Sequence, residues 1–196
     1  MGGLLARGGV PAAEREVFEA VNGLPSWLYE PIWPLMQLGS LPGGLLIAAA
    51  LGLATRRRTV LAVAAGAVTG TWLAAKLVKE VVQRERPFGS GLETVLVRDD
   101  SIGFGYASGH TAVAFAAYTI AAPHLRPGWR PVALGLAVFV GFARIYSGAH
   151  LPLDVVGGAG LGVILGEAFR VLETVVARER LPDAPPADEP DVPEPA

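Results

Sequence analysis

The chain has 196 residues, just over half of them hydrophobic and only 17% charged, with a formal net charge of -2. A charged share well below the roughly one quarter of ordinary soluble domains points to lipid as part of the solvent, and the slightly negative charge argues against a nucleic-acid partner, which needs a basic surface. The absence of cysteine excludes disulfides, thiolate nucleophiles and Cys-ligated zinc.

The N-terminal stretch MGGLLARGGV has no apolar core of signal-peptide length, so no cleavable signal is expected and internal apolar segments must drive insertion. Residues 11–22 (PAAEREVFEAVN) predict a short amphipathic helix with Val17, Phe18 and Val21 on one side and Glu14, Arg15, Glu16 and Glu19 mostly elsewhere. Such a helix lies in the membrane interface or packs on the protein; together with its flanks it makes an N-terminal segment, 1–26.

Residues 27–178 predict an all-α, multi-span transmembrane bundle of about five spans. The first, Trp27 to Ala54, is broken by Pro31, Pro34, Gly39, Ser40, Pro42 and Gly43, all poor helix residues, and Trp27, Tyr29 and Trp33 suit an interface at its start. The second, Thr59 to Val78, carries Lys76 as its one charge and is long enough to cross ~30 Å of hydrocarbon. A loop over 86–107, rich in glycine and charge, is long enough to be functional; its Asp99–Asp100 pair reads as a solvated turn more readily than as a cation site. The third and fourth spans, Ser108–Pro123 and Pro131–Tyr146, are short, which places their polar ends near the interface. The fifth, Pro152–Val176, carries Gly157, Gly158, Gly160, Gly162 and Gly166, which permit close helix packing, within the monomer or between copies. Residues 179–196 form a Pro-rich acidic tail expected to be disordered.

Five spans put the termini on opposite faces. Alternation groups Arg56–Arg58, Arg126 and Arg130, and Arg178 and Arg180 on one face, cytoplasmic by the positive-inside tendency. The loop 86–107 and the turn 144–152 then share the extracytoplasmic face.

Three clusters of ionisable residues fall at segment ends on that face. Lys79 and Arg86 are seven residues apart, so a continuing helix would set both on one side, ready for an anion as point charge and planar fork, with Pro87 as the stop. The bland alternative is a basic collar of snorkelling side chains. Ser108-Gly109-His110 precedes an apolar run: Ser108 suits an N-cap, Gly109 lets a ligand approach the backbone, and the helix start offers N–H groups to an anion; an ordinary capped helix with an interfacial histidine fits equally. The third cluster is Arg144, His150 and Asp154. Pro152 suits a first helical turn, which brings Asp154 close to His150, where a carboxylate on one imidazole nitrogen makes the other a better base or nucleophile; the helix dipole alone also favours an acid there. Ionisable residues at membrane depth are costly and usually have a purpose. His124 falls on the opposite face and reads as structural.

These residues resemble the type 2 phosphatidic acid phosphatase (PAP2) superfamily, which also includes vanadium haloperoxidases and whose signatures are KxxxxxxRP, PSGH and SRxxxxxHxxxD. Lys79, Arg86 and Pro87 match the first; Ser108, Gly109 and His110 match the second, with Ala107 for proline; Arg144, His150 and Asp154 match the third, with Ala143 for serine. The resemblance implies a cofactor-free, metal-independent phosphatase acting on a lipid or polyprenyl phosphate or diphosphate at the membrane surface. It implies His150 as the nucleophile forming a phosphohistidine, Asp154 as its orienting acid and His110 as general acid and base. Lys79, Arg86, Ser108, Gly109 and Arg144 are implied as phosphate holders. Two other readings stand beside it: a non-catalytic phospholipid head-group binder or transporter, for which the histidines and Asp154 are superfluous, and a haloperoxidase-like enzyme, which the multi-span character disfavours.

Overall fold

The computed structural model describes residues 9–92, 95–99 and 102–179; the acidic tail beyond Glu179, Asp100 and Arg180 lie outside them, as does the side chain of Arg178. Among the described residues seven α-helices follow one another: α1 (Ala12–Asn22), α2 (Tyr29–Met36), α3 (Leu41–Thr55), α4 (Arg58–Val82), α5 (Gly109–Ala121), α6 (Arg130–Tyr146) and α7 (Pro152–Glu179). Three stretches, Arg58–Gly89, Pro127–Tyr146 and Pro152–Val176, are long and apolar enough to cross a membrane, and the bent pair Ser26–Gly39 and Leu41–Thr55 makes a fourth if counted as one span. The protein is a multi-span helical membrane bundle. Exposed Leu46, Leu53, Leu77 and Ile164 face outward, as lipid-facing positions require, and exposed Trp27 and Trp129 sit at segment ends, where indole rings anchor at an interface.

The break in the first span has a local cause. α2 runs into a 3-10 turn, Gln37–Gly39, and Ser40 leaves the helical region (φ -72°, ψ 161°). Its hydroxyl accepts from the Gly43 amide at 3.1 Å and donates to the Gln37 carbonyl at 2.7 Å, capping α3 at a 64° bend. Gly39 lies against the start of α5, where a Cβ would come 2.4 Å from the His110 carbonyl oxygen. The broken span therefore reaches the level of His110 because position 39 has no side chain.

The third predicted span, Ser108–Pro123, is short, as expected: α5 has 13 residues and continues directly into a 3-10 turn, Ala122–His124. It is the central helix, with Thr111 to Ala114, Ala116, Ala117 and Thr119 to Ala121 all buried. Its other wall is α7, whose glycines form a stripe at helical spacing. A Cβ at Gly158 would meet the Ser108 carbonyl oxygen at 2.5 Å, one at Gly162 the Ala112 carbonyl oxygen at 2.3 Å, and one at Gly166 the Thr119 Cβ at 2.7 Å. The glycine run thus serves packing inside the monomer, bringing the start of α7 beside the start of α5. At the far end His124 lies 3.5 Å from Glu173, away from the loops that carry the ionisable clusters.

α1 docks by Phe18, fully buried among Leu92, Ile145 and Leu151, while Val17 points outward at 50% exposure. Glu14 departs from the sequence reading: it is buried, 6% exposed, on the side that faces the bundle.

Candidate active site

α4 does not run on to Arg86. It ends at Val82 because Gln83 adopts a left-handed conformation (φ 52°), and Pro87 opens a 3-10 turn instead of stopping the helix. Lys79 and Arg86 therefore meet through a chain reversal and not on one helical face. The loop over 102–105 pins both. Lys79 Nζ donates to the carbonyls of Phe104 (3.0 Å) and Gly105 (2.8 Å). The Arg86 guanidinium donates to Gly103 (2.8 Å), Ile102 (3.2 Å) and Ala149 (2.7 Å). Five neutral carbonyls fix two cations without cancelling their charge.

His150 follows the turn after α6 and is 2% exposed. Its Nδ1 lies 3.4 Å from Oδ2 of Asp154, and its Nε2 lies 3.4 Å from Arg86 Nη1. With Asp154 ionised, Nδ1 is the nitrogen that carries hydrogen, and Nε2 keeps its lone pair. Burial drives the His150 pKa well below its usual 6.5, and the nearby charges of Lys79, Arg144 and Arg86 push the same way. The imidazole is therefore neutral at physiological pH.

Asp154 is fully buried and tied down by more than His150. Oδ2 accepts from the Leu151 amide at 3.0 Å, and Oδ1 accepts from Arg84 Nη1 at 3.0 Å. Arg84, 5% exposed, also forks onto Glu14: Nη1 to Oε1 at 3.0 Å and Nη2 to Oε2 at 2.6 Å. Sequence reasoning gave neither residue a role in the site: it did not single out Arg84, and it set Glu14 off the apolar side of residues 11–22. No local pattern marks a pair separated by 70 positions.

Arg144, in the last turn of α6, is 3% exposed; its Nη1 reaches Met36 Sδ at 3.4 Å and forms an ion pair with Asp99. Asp99 is thus not the solvated loop acid expected from sequence. Ser108 is the N-cap residue of α5 without a side-chain cap bond: its hydroxyl accepts from Thr111 Oγ1 at 3.0 Å, and its amide donates to the Asp154 carbonyl at 2.9 Å. That amide, expected to face an anion, is committed elsewhere, because α7 passes close enough to take it. Gly109 and His110 face a cavity of about 720 Å³ shared with Lys79, Arg86, Arg144 and His150. Fully buried Ser108 does not line it. The rest of the wall comes from the break residues Gly39 to Pro42, from Trp72, Ala75, Lys76 and Glu80 on α4, and from the loop over 102–104, with Lys76 Nζ 3.7 Å above the Trp72 ring. Ala143 sits in an apolar cluster with Ile32, Met36 and Tyr146, so in this chain a hydroxyl there would meet apolar neighbours.

The three clusters, spread over residues 79–154, thus converge on one cavity at one end of the bundle. The family model of the PAP2 superfamily matches residues 58–175, more than half of the chain and all three clusters. The chain belongs to the PAP2 superfamily. Among curated relatives, it is 32% identical over 111 residues to the bacitracin transport permease protein BcrC of Bacillus licheniformis (56% of this chain, 54% of BcrC). It is 37% identical over 87 residues to the undecaprenyl-diphosphatase of Sulfolobus acidocaldarius (43% of this chain, 41% of that protein). The chain spans about half the length of these curated relatives. Among solved PAP2 structures, it resembles the transmembrane PAP2-type phosphatidylglycerolphosphate phosphatase of Bacillus subtilis, at 25% identity and a TM-score of 0.69, covering 86% of this chain and 88% of that one.

Proposed function

We propose that this PAP2 protein is a membrane phosphatase that hydrolyses a lipid or polyprenyl phosphate or diphosphate through a phosphohistidine on His150. The observation that carries the reading is the opposed environment of the His150 nitrogens: Nδ1 on a buried carboxylate at 3.4 Å, Nε2 beside the Arg86 guanidinium at 3.4 Å on the cavity side. A binder needs only the cations; a neutral imidazole backed by a carboxylate is a nucleophile. Nε2 attacks phosphorus, the P–N bond forms, and the bond to the lipid oxygen breaks. His110 gives that oxygen a proton, then takes one from a water molecule whose oxygen attacks phosphorus and breaks the P–N bond. Lys79, Arg86, Arg144 and the Gly109 amide hold the phosphoryl oxygens; Ser108, buried behind the cavity wall, steadies the start of α5 through its hydroxyl contact with Thr111 at 3.0 Å. Such positive groups, fixed in a desolvated site, supply the charge stabilisation that phosphoryl transfer requires without a metal ion.

Substrate class follows from the cavity and its setting. A volume of about 720 Å³ holds much more than one phosphoryl group. Its wall includes Leu41, Pro42 and Trp72 beside the cations, which suits a head group whose tails stay in lipid. By the positive-inside tendency, this end is extracytoplasmic. The test is phosphate release by purified protein in detergent with chelator present, across undecaprenyl diphosphate, phosphatidylglycerol phosphate and phosphatidic acid. The parent should turn over at least one, and His150→Ala none; equal rates in parent and variant would sink the mechanism.

A further inference from the structure

We propose that Glu14 and Arg84 are positioning residues for Asp154, so that helix α1 is a working part of the site and not only a packing element. The kinetic arm of this proposal rests on the phosphatase reading above; its spectroscopic arm does not.

The geometry is a buried chain of charges. Glu14, Arg84 and Asp154 are 6%, 5% and 0% exposed. One guanidinium serves two carboxylates: its fork lies on Glu14 at 3.0 and 2.6 Å, and the same Nη1 reaches Asp154 Oδ1 at 3.0 Å. Glu14 Oε1 also accepts from the Leu153 amide at 2.9 Å, which fixes the first turn of α7 one residue before Asp154. Oδ1 of Asp154 is therefore held by Arg84, and Oδ2 is left for the Leu151 amide and His150.

Two features point to catalysis and not to docking alone. First, α1 is already docked by Phe18 in an apolar cluster. Taking three charges out of water carries a desolvation penalty that offsets much of their mutual attraction, so apolar side chains would hold α1 at least as well. Second, the charge count is odd. Arg84 and Asp154 alone would cancel, leaving His150 facing a neutral pair. With Glu14 the trio sums to one negative charge, so Asp154 keeps its pull on the Nδ1 hydrogen while Arg84 still fixes its orientation. Glu14 shares out the positive charge that would otherwise quench the carboxylate behind the nucleophile.

The test uses the full chain in detergent micelles. Glu14→Gln keeps the shape and an acceptor for Leu153 and Arg84 but removes the charge. It should lower kcat by about tenfold to a hundredfold, the range for partners that orient an imidazole through a second residue, with KM and inhibition by inorganic vanadate changed by less than about twofold. Glu14→Asp, which restores the charge, should recover part of kcat. Nitrogen-15 histidine spectra give an independent readout: the parent should show His150 as a single tautomer protonated at Nδ1, and Glu14→Gln a mixture. If Glu14→Gln fails to fold, Glu14→Asp carries the same tautomer measurement, with a shift expected. Parent kcat and an unchanged tautomer in Glu14→Gln would overturn the proposal. A fall in kcat matched by lost vanadate binding and lower thermal stability, with the tautomer unchanged, would also overturn it in favour of a structural link. If the parent hydrolyses none of the lipids, the phosphatase reading fails while the tautomer still decides this one.

Discussion

Asp99 and Arg144 form an ion pair at the edge of the cavity, with Asp99 28% exposed and Arg144 almost fully buried. The carboxylate occupies the guanidinium that the family pattern assigns to phosphate. An anion that binds there competes with Asp99 or accepts its repulsion at close range. Asp99→Asn removes that charge and should tighten inhibition by inorganic phosphate or vanadate by about fivefold, corresponding to roughly 1 kcal/mol for a partly exposed pair. Inhibition constants at two ionic strengths check it. Weaker inhibition in the variant would mean that Asp99 orients Arg144 and does not compete.

The lowered pKa of His150 has a sign that can be tested. Between that value and about 6.5 the unfolded chain binds a proton on His150 that the folded chain refuses. Stability from this residue is fully present above about pH 6.5 and is lost as pH falls toward the lowered value. Thermal unfolding in detergent should therefore show a shallower acid decline for His150→Gln than for the parent. In kinetics, the acid limb of kcat/KM governed by the nucleophile should lie below pH 6.5.

Arg86 spreads its guanidinium over three carbonyls while facing His150 Nε2. A lysine carries the charge but not the fork. Arg86→Lys should lower kcat/KM by about a hundredfold, or ~2.7 kcal/mol of transition-state stabilisation, with the thermal midpoint nearly unchanged. Steady-state kinetics on the best lipid substrate, alongside a melting curve, separates the two effects.

The glycine stripe on α7 predicts a graded stability series. A side chain at Gly162 would meet the Ala112 carbonyl, whereas one at Gly160 meets nothing within 4 Å. Gly162→Val should cost about 1–3 kcal/mol from overpacking and should disturb activity as well, because the same helix pair sets the Ser108 amide on the Asp154 carbonyl. Gly160→Ala should be neutral or slightly stabilising. Melting temperatures of the two variants test the contrast.

Much of the fold was legible because its cause is local. Apolar length marks a span, and proline with glycine marks the break at Gly39–Ser40; both act within a few residues. The centrality of α5 was not legible. A short apolar run reads alike whether lipid or protein surrounds it, and only the glycine stripe of a helix about 50 positions later, itself ambiguous between monomer and dimer, makes α5 a core. The end of α4 was not legible for a related reason: Val82, Gln83 and Arg84 all tolerate helix, and no glycine marks the left-handed turn at Gln83.

At the site, residue types and their short-range spacing already named the groups. Two histidines, three cations and a carboxylate stand at the spacing of a known family, because the reaction needs those side chains and each cluster is short. How they are wired is a property of the packed bundle. It spent the Ser108 amide on Asp154, set Asp99 on Arg144, and drew Glu14 into the bundle to share Arg84 with the carboxylate behind His150. These pairings join residues far apart in the chain, and the energy that selects them, compensation of buried charge, exists only after the helices have packed and excluded water.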